Sequence, residues 1–313
     1  MPPTIMWFRR PRGRPGWPVY NGFSMIGRHR ALLKLISNEG GRTTKLRLIK
    51  LTFLVSQRAE DAPKASLYEF FPYHHGPFSF TLYHELRSME RDGWLRVLDH
   101  DIAISKDPDS EIGRLDTGLK KDIDRVSREY RGVSTDTLIS NVYREFPWYT
   151  LNSKNVARRA ALPPVAPLAV YSVGYEGLML DGLLDLLLKT GITRLIDVRC
   201  NPVARRFGFH KSTLDRHCND VGIAYVHVPE LGIPSSWRAS LEDLSSYERL
   251  FERYERDVLP AQKASIEFVG RMLREKPSAM MCMEADPVCC HRTRLAHTVA
   301  TLTNLPLREL RTD

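Results

Sequence analysis

Apolar side chains recur at intervals of three and four through residues 25–150, whereas residues 169–230 and 278–282 carry them in short unbroken runs. The first pattern predicts helices. Leu32, Leu33, Leu35 and Ile36 define one, which Asn38 to Gly41 closes as a turn. Leu46, Ile49, Phe53 and Leu54 define a second, capped by Thr44 and interleaved with Lys45, Arg47 and Lys50. FFPYHHGPFSF, residues 70–80, is interrupted by Pro72, Gly76 and Pro77 and reads as a loop. Ser79 caps a third helix with Leu82, Leu86 and Met89 on one face, His84, Arg87 and Arg91 on others, and Gly93 at its end. WLRVLDHDIAIS, residues 94–105, alternates as a short hairpin, and residues 116–147 hold two further helices. Three helices followed by a hairpin is the winged-helix order.

The second pattern predicts strands alternating with helices. LAVYSVGYEG, ITRLIDVRCNP, IAYVHVPELG and SAMMCMEADP read as strands; LMLDGLLDLLLKTG, STLDRHCNDVG and CHRTRLAHTVATL read as helices, with a long polar helical region holding Tyr247, Tyr254 and Phe268 before the last strand. Such alternation gives an α/β fold with a mostly parallel sheet covered on both faces. The Ala- and Pro-rich VARRAALPPVAP separates the two patterns. The expected organisation is a disordered basic tail at 1–22, a mainly α winged-helix-like domain at 23–155, a linker at 156–168 and the α/β domain at 169–313.

Charge changes the picture. Up to residue 165 there are 27 Lys and Arg against 18 Asp and Glu, and beyond it 19 against 19, so the whole excess of +9 lies in the N-terminal half. A basic domain beside a neutral one points to a polyanion reader, and double-stranded DNA is the expected partner. Lys45, Arg47, Lys50, His84, Arg87 and Arg91 are its expected contacts, joined by Arg205, Arg206 and Lys211 in a loop of the other half. Glu85 and Glu90 offset Arg87 and Arg91, which keeps a protein partner open as the alternative, and a generally basic surface is the plainest one. No run of about 18 apolar residues exists and the N-terminus lacks the apolar centre of a signal peptide, so the chain is expected to be cytoplasmic and to avoid membranes. Five cysteines, an odd number, are expected to be reduced thiols. Oligomeric state leaves no trace in the sequence.

In an open α/β sheet, ligands gather beyond the carboxyl ends of the strands. Four such ends bring Tyr175 and Glu176, Asp197 and Arg199, His227 and Glu230, and lastly Cys282, Glu284, Cys290, His291 and Arg292. Within CMEADPVCCHR, Asp286 suits an N-cap and Pro287 a first helical residue, which puts Cys289 to Arg292 in the opening turn. A helix start binds anions, Arg292 adds a bidentate grip, and a thiol placed there has its pKa lowered, which singles out Cys290 as reactive. Asp197 and Arg199 either face a ligand or form a salt bridge that orders their loop. No metal or other cofactor is expected, because adjacent Cys289 and Cys290 diverge on a helix and no second cysteine knuckle exists. Cys289 and Cys218 read as small apolar fillers.

LRLIKLTFLVSQ and YHHGPFSFTLYHELRSMERDGWL resemble the small winged-helix-like domains of the Panacea antitoxin group, over about 60 residues. SVGYEG, IDVRCNP, GFHKSTL, YVHVPELG, the tyrosines at 247 and 254, and CMEADPVCCHR resemble, in order, the family known as domain of unknown function 488, over roughly residues 169–302. The latter resemblance implies a Rossmann-like fold and a rim made by Tyr175, Glu176, Asp197, Arg199, Pro202, Cys282, Glu284, Cys290, His291 and Arg292. Cys200 and His210 depart from the small or small polar residues expected there. Three functions follow as alternatives. One is a DNA-directed enzyme of repair or defence that hydrolyses a glycosidic or phosphoester bond at a damaged or modified nucleotide, with Arg199 and Arg292 on phosphate, Glu284 or Asp197 as general base, and Glu176 and His291 beside them. Another is a DNA-binding transcriptional or phage-defence regulator whose α/β domain senses a small anionic ligand, and the third is a thiol enzyme using Cys290. Tyr175, Cys282, His227 and Glu230 are the further expected substrate contacts.

Overall fold

Hydroxyl side chains cap several helices of the N-terminal half. A computed structural model describes residues 25–62, 67–204, 206–238 and 244–311, so the basic tail expected at 1–22 and the phosphate contact expected of Arg205 lie outside the described residues. After α1 (Gly27–Asn38) and the short β1 (Arg42–Thr44), the Thr44 hydroxyl accepts from the Arg47 N–H and starts α2 (Lys45–Gln57). The segment expected to be a loop instead forms a tight antiparallel pair, β2 (Phe71–Tyr73) and β3 (Gly76–Phe78). Its prolines do not prevent this, because Pro72 faces Pro77 on one rung and neither has an N–H to contribute there. The Ser79 hydroxyl then accepts from Leu82 N–H at the head of α3 (Phe80–Arg91). β4 (Leu95–Val97) and β5 (Asp101–Ile104) make the expected hairpin, and β1 joins it in a three-stranded antiparallel sheet of order β1-β5-β4. α4 (Asp109–Gly113), α5 (Thr117–Glu129) and α6 (Thr135–Glu145) complete a core built on Leu32, Leu35, Leu48, Phe53, Leu86, Ile123 and Val142.

Beyond an irregular stretch the chain alternates as expected: β6 (Val170–Gly174), α7 (Leu180–Thr190), β7 (Arg194–Asp197), α8 (Lys211–Asp220) and β8 (Ala224–His227). α9 (Leu244–Arg253), a wide turn at Tyr254–Val258 and α10 (Lys263–Glu275) lead to β9 (Ser278–Cys282), α11 (His291–Thr303) and β10 (Leu307–Leu310). All five strands are parallel, in the order β10-β6-β9-β7-β8, which makes the half Rossmann-like. Successive strand residues serve opposite faces. Tyr171, Val173, Leu195, Ala279 and Met281 pack under α7 and α8, while Val170, Ile196, Met280 and Cys282 pack under α10 and α11. Burial on both faces explains why the strands read as unbroken apolar runs. The edge strand β10 lacks such a run, since LREL is half charged; Asn304, left-handed at φ 56°, ends α11 and turns the chain back beside β6.

The two halves share one apolar seam. Phe71 is fully buried within the core of α7 and α8, the Phe80 ring lies 3.8 Å from that of His217, and His84 stacks on Phe207 at 4.0 Å. Each half also caps a helix of the other. Asp181, in the first turn of α7, accepts from the N–H groups of Phe80 and Thr81 at 2.6 and 3.2 Å, and Glu69 accepts from Met179 N–H at 2.7 Å just ahead of α7. Gly182 leaves room for Glu69, since a Cβ there would overlap its carboxylate. Among the described residues no helix is long and apolar enough to cross a membrane.

Burial pushes the Asp181 carboxyl from its usual 3.8 up to about 6, against the hydrogen bonds from Thr81, Phe80 and Ser79. A carboxyl raised in this way adds most to stability when protonated; its contribution is complete below pH 3.8 and is lost as the pH climbs through about 6. The difference in unfolding free energy between the natural protein and Asp181→Asn is therefore expected to fall across that window. Urea titrations at several pH values would show it, and a difference constant with pH would refute the coupling.

Candidate functional site

The carboxyl ends of β6, β7, β8 and β9 do converge, and they do so largely by binding one another. Asp197 ends β7 with no exposed surface; its Oδ1 accepts from the Arg199 backbone N–H and from Nε, and its Oδ2 accepts from Arg199 Nη2 at 2.6 Å and from the Tyr225 hydroxyl at 2.6 Å. Arg199 also donates to the Tyr175 hydroxyl and the Phe209 carbonyl, both at 3.0 Å, while Tyr175 stacks on Phe209 with ring centres 4.1 Å apart. Burial opposes the Arg199 charge, yet Asp197 and Tyr175 raise its pKa above the usual value. Of the two roles open for this pair, the structure realises the salt bridge that orders the loop, so neither Asp197 as a free base nor Arg199 as a free phosphate clamp is present. His227 Nε2 lies 2.9 Å from the Arg199 carbonyl, and Glu230 is exposed on the next turn.

The last loop differs from its expected form. Asp286 caps only a single turn, Pro287–Cys289, by accepting from Val288 N–H, and α11 itself begins at His291 with Cys290 as its N-cap. Arg292 points inward with no exposed surface: it donates to the carbonyls of Glu284 and Ala285 and to Glu309 Oε1 of β10, the last at 2.6 Å. Anion binding by Arg292 is corrected accordingly, for its guanidinium holds the loop and the edge strand together. Gly174 allows this, because a Cβ there would overlap the Glu284 carbonyl and crowd Arg292. Glu176 is exposed and accepts from Ala285 N–H at 3.2 Å.

Cys290 is 1% exposed, and burial first, then contact with Cys282 and the nearby Glu284 charge, push its thiol well above the ordinary value. The lowered pKa expected from a helix start is thus overturned, since desolvation outweighs the dipole. Cys282 and Cys290 both approach Glu284 Oε2, at 3.2 and 3.1 Å, and Cys282 Sγ lies 3.7 Å from His291 Nδ1. Glu284 is half-buried and so remains reachable from solvent.

The basic residues divide into two groups. Lys45, His84, Arg87 and Arg91 line one cleft of about 860 Å³ together with Glu90, Val97, Leu98 and Asp99. His84 also lines a second cleft of about 270 Å³, which Arg28, Arg206, Met179 and Phe207 close from both halves. Lys211 is exposed at the start of α8. Arg47 and Lys50, expected to meet nucleic acid, are instead bound within the protein. Arg47 pairs with Glu39 and donates to the carbonyls of Val133 and Tyr130, while Lys50 is 1% exposed, donates to the Pro77 carbonyl at 2.8 Å and is brought down to about 7 by burial. Glu85, expected to offset Arg87, instead turns away to bind Arg28 and Tyr68.

A five-stranded parallel sheet whose strand ends are tied by buried ion pairs defines a Rossmann-like α/β module with one thiol-rich loop. Residues 179–299, from the head of α7 into α11, match the family model described as Domain of unknown function DUF488. No curated protein and no solved structure matches the chain.

Removing one partner from a buried pair strands the other. Asp197→Ala is expected to cost about 3–5 kcal/mol in urea unfolding, and Glu284→Gln, at a half-open position, within about 1 kcal/mol. Equal losses would contradict the division between a structural and a solvent-reachable acid.

Proposed function

We propose that the protein binds duplex DNA through its N-terminal half, and that the α/β half acts as a regulator responding to a small anionic ligand. The observation that carries this reading is the gathering of Lys45, His84, Arg87 and Arg91 around a single cleft between α3 and the β4–β5 hairpin. Helices and hairpin follow one another as in winged-helix domains, where the third helix enters the major groove and the hairpin touches backbone. The resemblance to the Panacea antitoxin group supports the same class. The second cleft joins Arg206 and Phe207 of the α/β half to His84 of α3, so an anion held there meets the side chain that also faces the DNA cleft. Free thiols at all five cysteines suit a reducing cytoplasm.

The regulator is favoured over the hydrolase because Asp197, Arg199 and Arg292 are bound within the protein. Hydrolysis of a glycosidic or phosphoester bond is the second reading, carried by Glu284, a half-exposed carboxylate at the strand ends. Catalysis by Cys290 is disfavoured by its burial.

Duplex affinity is expected to fall with salt, and Arg87→Ala and Arg91→Ala are each expected to flatten the plot of log K against log salt by about 0.9. Arg47→Ala should leave the slope unchanged. Fluorescence anisotropy with a labelled duplex measures this, and unchanged slopes in both cleft variants would sink the DNA assignment. Mass analysis after incubation with lesion-bearing duplexes separates the two readings: the regulator yields no products, whereas products that vanish in Glu284→Gln establish the hydrolase.

A further inference from the structure

We propose that Cys282, Cys290 and His291 form, with Glu284, a binding site for a thiophilic divalent cation, for which zinc is the natural candidate. The three donor atoms lie within 4.8 Å of one another, and all three residues are buried. Bond lengths of about 2.0–2.3 Å and tetrahedral angles place neighbouring donors about 3.3–3.8 Å apart. Cys282 Sγ and His291 Nδ1 stand at 3.7 Å, and Glu284 Oε2 is 3.2 and 3.1 Å from the two sulfurs. Two thiolates, one imidazole and one carboxylate are a donor set that prefers zinc over magnesium or calcium.

Three features beyond proximity point to a ligand. His291 turns its other nitrogen, Nε2, toward the Val198 carbonyl at 3.3 Å, so that a proton held there directs the Nδ1 lone pair toward Cys282. Tyr254, anchored by its hydroxyl on the Leu231 carbonyl, packs edge-on against that imidazole with ring centres 5.3 Å apart and fixes its plane. Arg292, next to His291, has a buried Nε without a hydrogen-bond partner, and a thiolate is a stronger acceptor for such a group than a thiol. The donors come from the end of β9 and the start of α11, two elements clamped by the Arg292 contacts, so little reorganisation is needed.

Binding is an exchange of protons for metal. Each thiol gives its proton to solvent, the two sulfurs and Nδ1 donate their electron pairs to the cation, and Glu284, relieved of the two S–H groups, rotates one oxygen into the fourth position. No oxidation occurs. The proposal does not rest on DNA binding, since metal content is read without nucleic acid.

The test uses the full chain without an affinity tag, stripped with chelator, loaded with zinc and desalted. About one zinc per chain is expected to be retained, and Cys282→Ser, Cys290→Ser and His291→Ala are each expected to lose it, while Cys289→Ser keeps it. Retention well below one in the natural protein, or unchanged retention in all three variants, overturns the site. Should the variants fail to fold, titration of the natural protein with cobalt(II) decides. Intense tetrahedral visible bands with a thiolate-to-cobalt absorption in the near ultraviolet support the site, and weak octahedral bands refute it.

Discussion

The exchange of carboxylates across the seam is the constraint on which the rest depends. A helix start exposes N–H groups that must be satisfied, and here Asp181 satisfies α3 while Glu69 reaches the approach to α7. The local Ser79 cap of α3 is thus supplemented from the other half, and the approach to α7 is held from the N-terminal one. The aromatic seam of Phe71, Phe80, Phe207 and His217 then excludes water from the same contact. Although residues 159–168 are irregular and mostly exposed, the halves are joined by far more than that covalent link.

Within the α/β half, charge serves architecture first. Asp197 and Arg199 tie β7 to Tyr175 beyond β6, and Arg292 ties the loop after β9 to β10. Buried pairs of this kind add little net stability compared with an apolar packing, but they fix which loops meet. What they fix is the thiol-rich loop, whose Glu284 is the acid left in contact with solvent beside Cys282 and Cys290.

Much of this was legible in the chain, and the boundary is physical. Thr44 and Ser79 were readable as caps because a cap is a local bond spanning three residues. The strands were readable because both faces are buried. β1, β2 and β3 were not, since three residues beside a helix cap or between prolines show no alternation, and β10 was not, because an edge strand half made of charges looks like a tail. Arg47 and Lys50 were misplaced for a related reason: residue type suggests solvent, and only the fold reveals that Glu39 and the Pro77 carbonyl await them. The adjacency of Cys289 and Cys290 argued against a metal on the expectation that both lie in one helix, whereas Cys289 ends a single turn and Cys290 is the N-cap of α11. Cys282 lay nine residues from His291, and its approach to Cys290 and His291 depends on how a loop folds back and not on spacing.

His84 occupies an unusual station, shared between the basic cleft and the smaller one at the seam. The same imidazole stacks on Phe207 of the α/β half, so both clefts and the aromatic contact between the halves meet at one side chain. A change at this one position would therefore be felt in both clefts and at the contact between the halves.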